Sequence, residues 1–194
     1  MISRAKEILL AMYEVLPSQC RLAGVGVTGY GEGLLRKAFR LDTGEVETMA
    51  HLRAARFFCP EVTALLDIGG QDMKYCRLKD GRIDSISLNG VCSSGCGSFL
   101  ESFADHLHMD IKEFAKQAAL AEKMPDLGRH CTVIMNSYVK KVQNRGVGLA
   151  GLAAALSVSV VKNTLFSVIQ LESAEELGDH IVAEGGTFYN DAVL

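Results

Sequence analysis

A chain of 194 residues with 48% hydrophobic residues, 22% charged residues, 3 prolines and a net charge of −3 has ordinary globular makeup, long enough for one large domain or two lobes sharing an interface. No basic stripe runs along it, which speaks against nucleic acid as a partner. Six cysteines with no secretory segment point to a reducing, cytoplasmic compartment, where thiols stay reduced, bind metal or react.

The first sixteen residues place Ile2, Ala5, Ile8, Leu9, Met12 and Leu16 at helical spacing between charged positions, the pattern of an amphipathic helix and not of a signal peptide. "CRLAGVGVTGYG" reads as a strand running into a glycine-rich turn, with "GEGLLRKAF" as a short helix behind it. "EVETMAHLRAARFF" follows as a second helix, closed by Cys59-Pro60. Three β-rich runs come next, separated by Gly69-Gly70 and by Lys79-Asp80-Gly81-Arg82; this predicts an antiparallel meander. From Ser98 the periodicity turns helical, and Asp110 with Glu113 has the spacing of a capping box. The uncharged run Gly146 to Val161 is shorter than the roughly 18 to 20 apolar residues of a membrane span, so a buried helix is expected and no membrane partner. "DHIVAEGGTFYND" closes the chain as a strand with a Gly-Gly turn. This order indicates an α/β or α+β fold with mixed sheets.

Two matches to G-x-G-x-x-G occur, at Gly24/Gly26/Gly29 and Gly146/Gly148/Gly151. Neither sits between a strand and the helix it opens, so close packing or a turn explains them better than a dinucleotide site. "LLDIGGQDMK" is more informative. An apolar strand delivers Asp67, then Gly69 and Gly70, then Gln71, Asp72 and Lys74. Bare glycine backbone can approach phosphate oxygens, and an acid at a strand end can hold hydrated Mg²⁺; a plain hairpin is the alternative. A second strand and glycine pair, Glu184, Gly185 and Gly186 with Asn190 beyond, would let two such turns face one nucleotide.

Cys92 and Cys131 lie 39 residues apart, each ahead of a helical segment, where the positive end of the helix dipole favours thiolate. Thiolate serves nucleophiles and metals alike. A cubane iron-sulfur cluster needs four cysteines, which a two-fold dimer giving two per chain would supply. Zinc held by Cys92, Cys96, His130 and Cys131 competes, although the spacing matches no common ribbon, and a Cys nucleophile with His130 as base is a further alternative. Cys20, Cys59 and Cys76 sit in apolar or strand contexts and are expected in the core.

Taken together, "VTGYG", "DIGGQDMK", "NGVCSSGCGSFLE", "CTV" and "VAEGGTFYND", in that order over nearly the whole chain, resemble the ATP-dependent activator component of 2-hydroxyacyl-CoA dehydratases. Related to it are benzoyl-CoA reductase components of the BadF/BadG/BcrA/BcrD type and the CoA-substrate-specific activases. The resemblance implies an actin/Hsp70/sugar-kinase fold, two ribonuclease-H-like lobes clasping ATP, here spanning residues 1–66 and 67–194. It also implies a homodimer with one [4Fe-4S] cluster on its two-fold axis, ligated by Cys92 and Cys131 of each chain. ATP hydrolysis with Mg would drive a low-potential electron, received from a donor such as ferredoxin or flavodoxin, into a dehydratase or related reductase. Asp67 and Gln71 match the catalytic positions of the second phosphate loop, with Gly69, Gly70, Asp72 and Lys74 beside them. Glu184, Gly185, Gly186 and Asn190 match the adenosine loop, and Cys96 stands where simpler activators have Thr.

The family's first phosphate loop, G-x-D-x-G-S, has no counterpart, and the chain stops at Leu194 before the elements that usually follow the adenosine glycines. The expectation is a core truncated at both ends, an ATPase only if that loop is supplied from elsewhere. A sugar- or acetate-kinase-like phosphotransferase on the same fold, or a non-catalytic interaction module, are the alternatives.

Overall fold

A computed structural model of the chain describes residues 1–89, 96–130 and 132–194. They form two compact units, Met1–Pro60 and Glu61–Leu194.

The first unit opens with helix α1 (Ile2–Val15), then strand β1 (Gly26–Thr28), helix α2 (Glu32–Phe39), strand β2 (Thr43–Glu45) and helix α3 (Glu47–Phe58). β1 and β2 pair in parallel, Gly26 beside Thr43 and Thr28 beside Glu45, with α2 as the crossover that a parallel pair requires. Glu32 in the first turn of α2 and Arg36 and Lys37 in its last complement the helix dipole. β1 is much shorter than the strand expected from Cys20 onward. Gly24 and Gly26 weaken strand pairing there, and the Val25 amide instead donates to the Asp42 carboxylate at 2.7 Å. The amphipathic spacing of α1 is realised as a helix, but none of its residues is buried.

The second unit carries the larger sheet. β3 (Ala64–Ile68), β4 (Met73–Lys79) and β5 (Arg82–Leu88) form the expected antiparallel meander, with Asp67 opposite Lys74 and Tyr75 opposite Ser87. Asp80 at φ 51° and Gly81 at φ 70° make the tight Asp-Gly turn between β4 and β5, both residues in the left-handed region that such a hairpin demands. Four helices follow: α4 (Gly97–His106), α5 (Ile111–Ala119), α6 (Thr132–Gln143) and α7 (Leu149–Asn163). The Asp110 side chain caps α5 by accepting from the Lys112 amide at 2.8 Å, while Glu113 accepts from Gln117 at 3.0 Å. β6 (Ile181–Glu184) then returns to pair in parallel with the open side of β3, giving the strand order β5-β4-β3-β6.

One face of this sheet bears the core. Ile68 and Met73 join Phe99, Phe103, Phe114, Met135, Leu152 and Leu156 in one buried cluster. Phe99 and Phe103, one turn apart on α4, meet edge to face with centroids 5.0 Å apart. α7 is buried nearly all round from Gly151 to Ser157, as a helix apolar on every side must be. Leu152, Leu156 and Val160 are all but fully enclosed, each worth about 1.5–3 kcal/mol of burial. α7 continues through a π turn, Thr164–Val168. Leu149–Val168 thus has the length and composition to cross a membrane, longer than the uncharged run alone because Lys162 and Asn163 are accommodated within it. Its hydroxyls are used inside the unit: Ser157 donates to the Ala153 carbonyl at 2.9 Å and Ser159 to the Gly128 carbonyl at 2.8 Å. These are the marks of a core helix. The second G-x-G-x-x-G serves packing here: Gly148 caps α7, and a Cβ on Gly151 would approach the Lys123 carbonyl oxygen to 2.7 Å.

Candidate functional site

β3 ends on Asp67 and Ile68, and the hairpin Gly69–Asp72 turns the chain into β4. The Gly69 amide donates to the Asp72 carbonyl at 2.9 Å, closing the turn. Asp67 is only 6% exposed, which a carboxylate tolerates only when paired or hydrogen-bonded. Lys74 answers it across the ladder, its Nζ lying 3.9 Å from Asp67 Oδ2 and 3.1 Å from Asp72 Oδ2. On the other side of β3, Glu184 is in register with Asp67. Two acids and one lysine therefore share the face opposite the helical core. Cys76, two residues beyond Lys74 on that face, feels them. Burial pushes its thiol up, Lys74 opposes this, and Glu184 and Asp67 add to it.

After Glu184 the chain takes a conformation open only to glycine, with Gly185 at φ 103° and ψ 152°. A Cβ there would overlap the Ile68 carbonyl oxygen and lie 2.7 Å from Asp67 Oδ1, so the bare backbone is what lets the second glycine pair lean on the end of β3. The first pair is tied to helix α4: the Gly97 amide donates to the Gly69 carbonyl at 2.9 Å and the Ser98 amide to the Gly70 carbonyl at 2.7 Å. Thr187 Oγ1 also donates to the Gly69 carbonyl, at 3.0 Å. Gly70 and Gly186, by contrast, have open space where a Cβ would stand.

That space is a cavity of about 320 Å³ between the glycine pairs, α4 and α5. Gly70 and Gly97 form its glycine side, Leu100, Ile111 and Ala115 its apolar wall, and Glu101, Lys112, Tyr189 and Asn190 its polar positions. A second hollow of about 470 Å³, lined by Glu184, Gly185 and Phe188, shares Gly186 and Tyr189 with it. An apolar slot with a few polar groups at one end and glycine backbone at the other suits a flat ring system carrying a phosphorylated tail.

The structure thus gathers the expected Gly70, Gly186 and Asn190 in one cavity wall, with Glu184 and Gly185 in the adjoining hollow. Gly69 and Asp72 are the two ends of the hairpin, Asp67 and Lys74 stand on the strands that flank it, and Gln71 is exposed on the turn. Asn190 is buried, its Nδ2 donating to Ser157 Oγ at 2.9 Å and its Oδ1 accepting from the Ala192 amide at 3.0 Å; it braces the wall. Gly97, Glu101, Ile111, Lys112 and Tyr189 were not singled out by sequence reasoning. Glu101 and Tyr189 lie inside the quoted motifs, whereas Lys112 carries no signal beyond its place in a helix.

Cys92 and Cys131 lie outside the described residues. Of the cysteines expected in the core, only Cys76 is buried; Cys20 is exposed and Cys59 intermediate, because burial is set by tertiary packing that apolar sequence neighbours do not determine. Cys96, at the position that precedes α4, is fully buried as well. His130 stacks on Tyr138 with centroids 4.5 Å apart.

The sequence profile of the BadF/BadG/BcrA/BcrD ATPase family matches residues 2–194. The (R)-2-hydroxyglutaryl-CoA dehydratase activating ATPase of Acidaminococcus fermentans is 29% identical over 166 residues, 86% of this chain and 62% of that protein. The activator of lactoyl-CoA dehydratase of Anaerotignum propionicum is 32% identical over 168 residues, again 86% of this chain and 62% of the relative. The solved structure of the activator of 2-hydroxyisocaproyl-CoA dehydratase from Clostridium difficile with bound ADPNP superposes with a TM-score of 0.77 at 26% identity, over 98% of this chain and 68% of that one. The chain therefore spans 62% of the length of these two curated relatives. The fold is the α/β fold of the actin-like ATPases.

Proposed function

Because this chain belongs to the BadF/BadG/BcrA/BcrD ATPase family, we propose that it is the nucleotide-binding core of an ATP-dependent reductive activator. Its partner would be a 2-hydroxyacyl-CoA dehydratase or related reductase, and its electron donor a ferredoxin or flavodoxin. The observation that carries this reading is the convergence of the two glycine pairs, Gly69-Gly70 and Gly185-Gly186, beside one cavity at the start of α4. That helix directly follows the segment bearing Cys92.

The residues present fit a nucleotide. Leu100, Ile111, Ala115 and Tyr189 would hold the adenine, and Glu101 and Lys112 are the charged side chains of the same lining. The phosphates run toward Gly70, where the absence of a Cβ permits close approach. Asp67, with Lys74 beside it, would hold hydrated Mg²⁺. Gln71, exposed on the turn, orients the water that attacks the terminal phosphate.

The donor set fits a [4Fe-4S] cluster shared by a homodimer. Each chain offers two thiols, Cys92 in the segment before α4 and Cys131 in the position just before α6. Four soft donors from two chains are what a cubane requires. When bound, such a cluster supplies one low-potential electron. The chain's own task is to link occupancy of the glycine turns to the helices that follow the two cysteines.

The test is anaerobic purification followed by iron, sulfide and calorimetric analysis. The expected result is about four irons per two chains, lost in Cys92→Ala and in Cys131→Ala, together with heat on MgADP addition. A colourless protein that phosphorylates small sugars or acetate would replace this reading with a phosphotransferase.

A further inference from the structure

Asn89 links the exit of the glycine hairpin to Cys96 at the start of α4. Its backbone amide donates to the Met73 carbonyl at 3.3 Å, and its side-chain Oδ1 accepts from the Met73 amide at 2.9 Å. Its Nδ2 donates to Cys96 Sγ at 3.5 Å. Met73 is the first residue of β4 after the hairpin and is 1% exposed; Cys96 is 0% exposed. The two amides after Cys96 donate to the Gly69 and Gly70 carbonyls. One carboxamide therefore spans from the exit of the hairpin to the first turn of α4, and only a side chain that both donates and accepts can make the two bonds at once. Away from water such bonds hold firmly, and a lost partner leaves the remaining polar group unsatisfied.

We propose that Asn89 is a positioning residue whose side-chain amide couples the Gly69–Asp72 hairpin, through Met73, to Cys96 at the start of α4, so that nucleotide on the hairpin is sensed there. The proposal rests on the reading that the hairpin holds phosphate. It does not require Asn89 to touch nucleotide, and Asn89 lies outside the cavity wall.

Hydrogen–deuterium exchange of the full chain tests it, read on peptides covering residues 89–98 with and without MgADP, in the wild type, Asn89→Ala and Asn89→Asp. In the wild type, MgADP slows exchange across 89–98. In Asn89→Ala, exchange there without nucleotide is about tenfold faster, as expected for the loss of one or two hydrogen bonds of ordinary strength. MgADP affinity measured by calorimetry stays within about threefold, because no cavity residue has changed, while the slowing by MgADP is lost. Asn89→Asp keeps the acceptor for the Met73 amide and loses the donor to Cys96. It is the milder change, and carries the same comparison if the alanine variant does not fold. A merely structural Asn89 would raise exchange equally with and without nucleotide, leaving the MgADP-dependent ratio at its wild-type value. That result, or unchanged basal exchange in both variants, overturns the proposal while the nucleotide reading stands. Absence of MgADP binding by the wild type overturns the nucleotide reading and the coupling with it.

Discussion

The two glycines of the second pair respond oppositely to the addition of one methyl group. Gly185 sits at φ 103° and ψ 152°, a region that costs a non-glycine residue of order 1–3 kcal/mol. In Gly185→Ala the Cβ would also lie 2.6 Å from the Ile68 carbonyl carbon and 2.7 Å from Asp67 Oδ1. The obstruction is mostly backbone, so β6 must move off β3, and forced repacking of this kind adds about 1–3 kcal/mol. Together these lower stability by about 2–6 kcal/mol. With a urea m-value of about 2 kcal/mol/M, the unfolding midpoint falls by about 1–3 M. Gly186 has no left-handed φ and open space around the added Cβ. Gly186→Ala therefore keeps stability within about 1 kcal/mol, but its methyl narrows the space that the ligand enters and weakens MgADP binding by at least about tenfold, an ordinary penalty for overfilling a packed site. Urea titration followed by circular dichroism reads the first effect, and calorimetry the second. A wild-type midpoint for Gly185→Ala, or wild-type MgADP affinity for Gly186→Ala, would refute the geometry assigned to this turn.

Three further outcomes follow from burial. Burial pushes the Tyr75 hydroxyl above its ordinary value of 10.0, more than Arg77 pulls it down. The folded state resists its ionisation, so this contribution is intact below pH 10 and is lost as pH climbs past it. Urea midpoints measured from pH 7 to 11 should fall at the alkaline end, with a shallower fall in Tyr75→Phe. At pH 7 that variant also loses about 1 kcal/mol with the hydrogen bond to the Glu176 carbonyl. Phe114 is fully enclosed in the core, and Phe114→Ala should cost about 3–5 kcal/mol by denaturant titration. Among Cys20 and Cys76, iodoacetamide at pH 8 should alkylate the exposed Cys20 quickly and Cys76 only after urea is added, because burial both shields that thiol and keeps it protonated; mass spectrometry of tryptic peptides distinguishes the two.

Features with a local cause were readable from the residues alone. The meander was, because Gly69-Gly70 and Asp80-Gly81 punctuate three β-rich runs, and so was the Asp110 cap of α5. The glycine pairs announced themselves because each directly ends an apolar strand. Features caused by distant partners were hidden. Nothing in "HIVAE" says that it pairs with β3, since parallel pairing has no short-range signature. The strand expected at Cys20 shrank to three residues because glycines cost it pairing that its apolar neighbours did not restore. Lys112 and Glu101 look like any solvated helix residues until α4 and α5 are placed around a cavity. Exposure of Cys20 likewise depends on what does or does not pack over it. The reach of Asn89 to both Met73 and Cys96 needed the hairpin and α4 in three dimensions.

The late arrival of β6 has a consequence for how the polypeptide is made. Thr187 reaches the Gly69 carbonyl from 118 positions downstream, so β3 emerges from the ribosome with its parallel edge bare while all four helices are still being synthesised. Such an edge invites pairing with a neighbouring nascent chain, and long-range parallel closure is intrinsically slow. A ligand seated between the two glycine pairs cannot help the process along, since that hollow comes into being only when residues 181–190 dock on the end of β3.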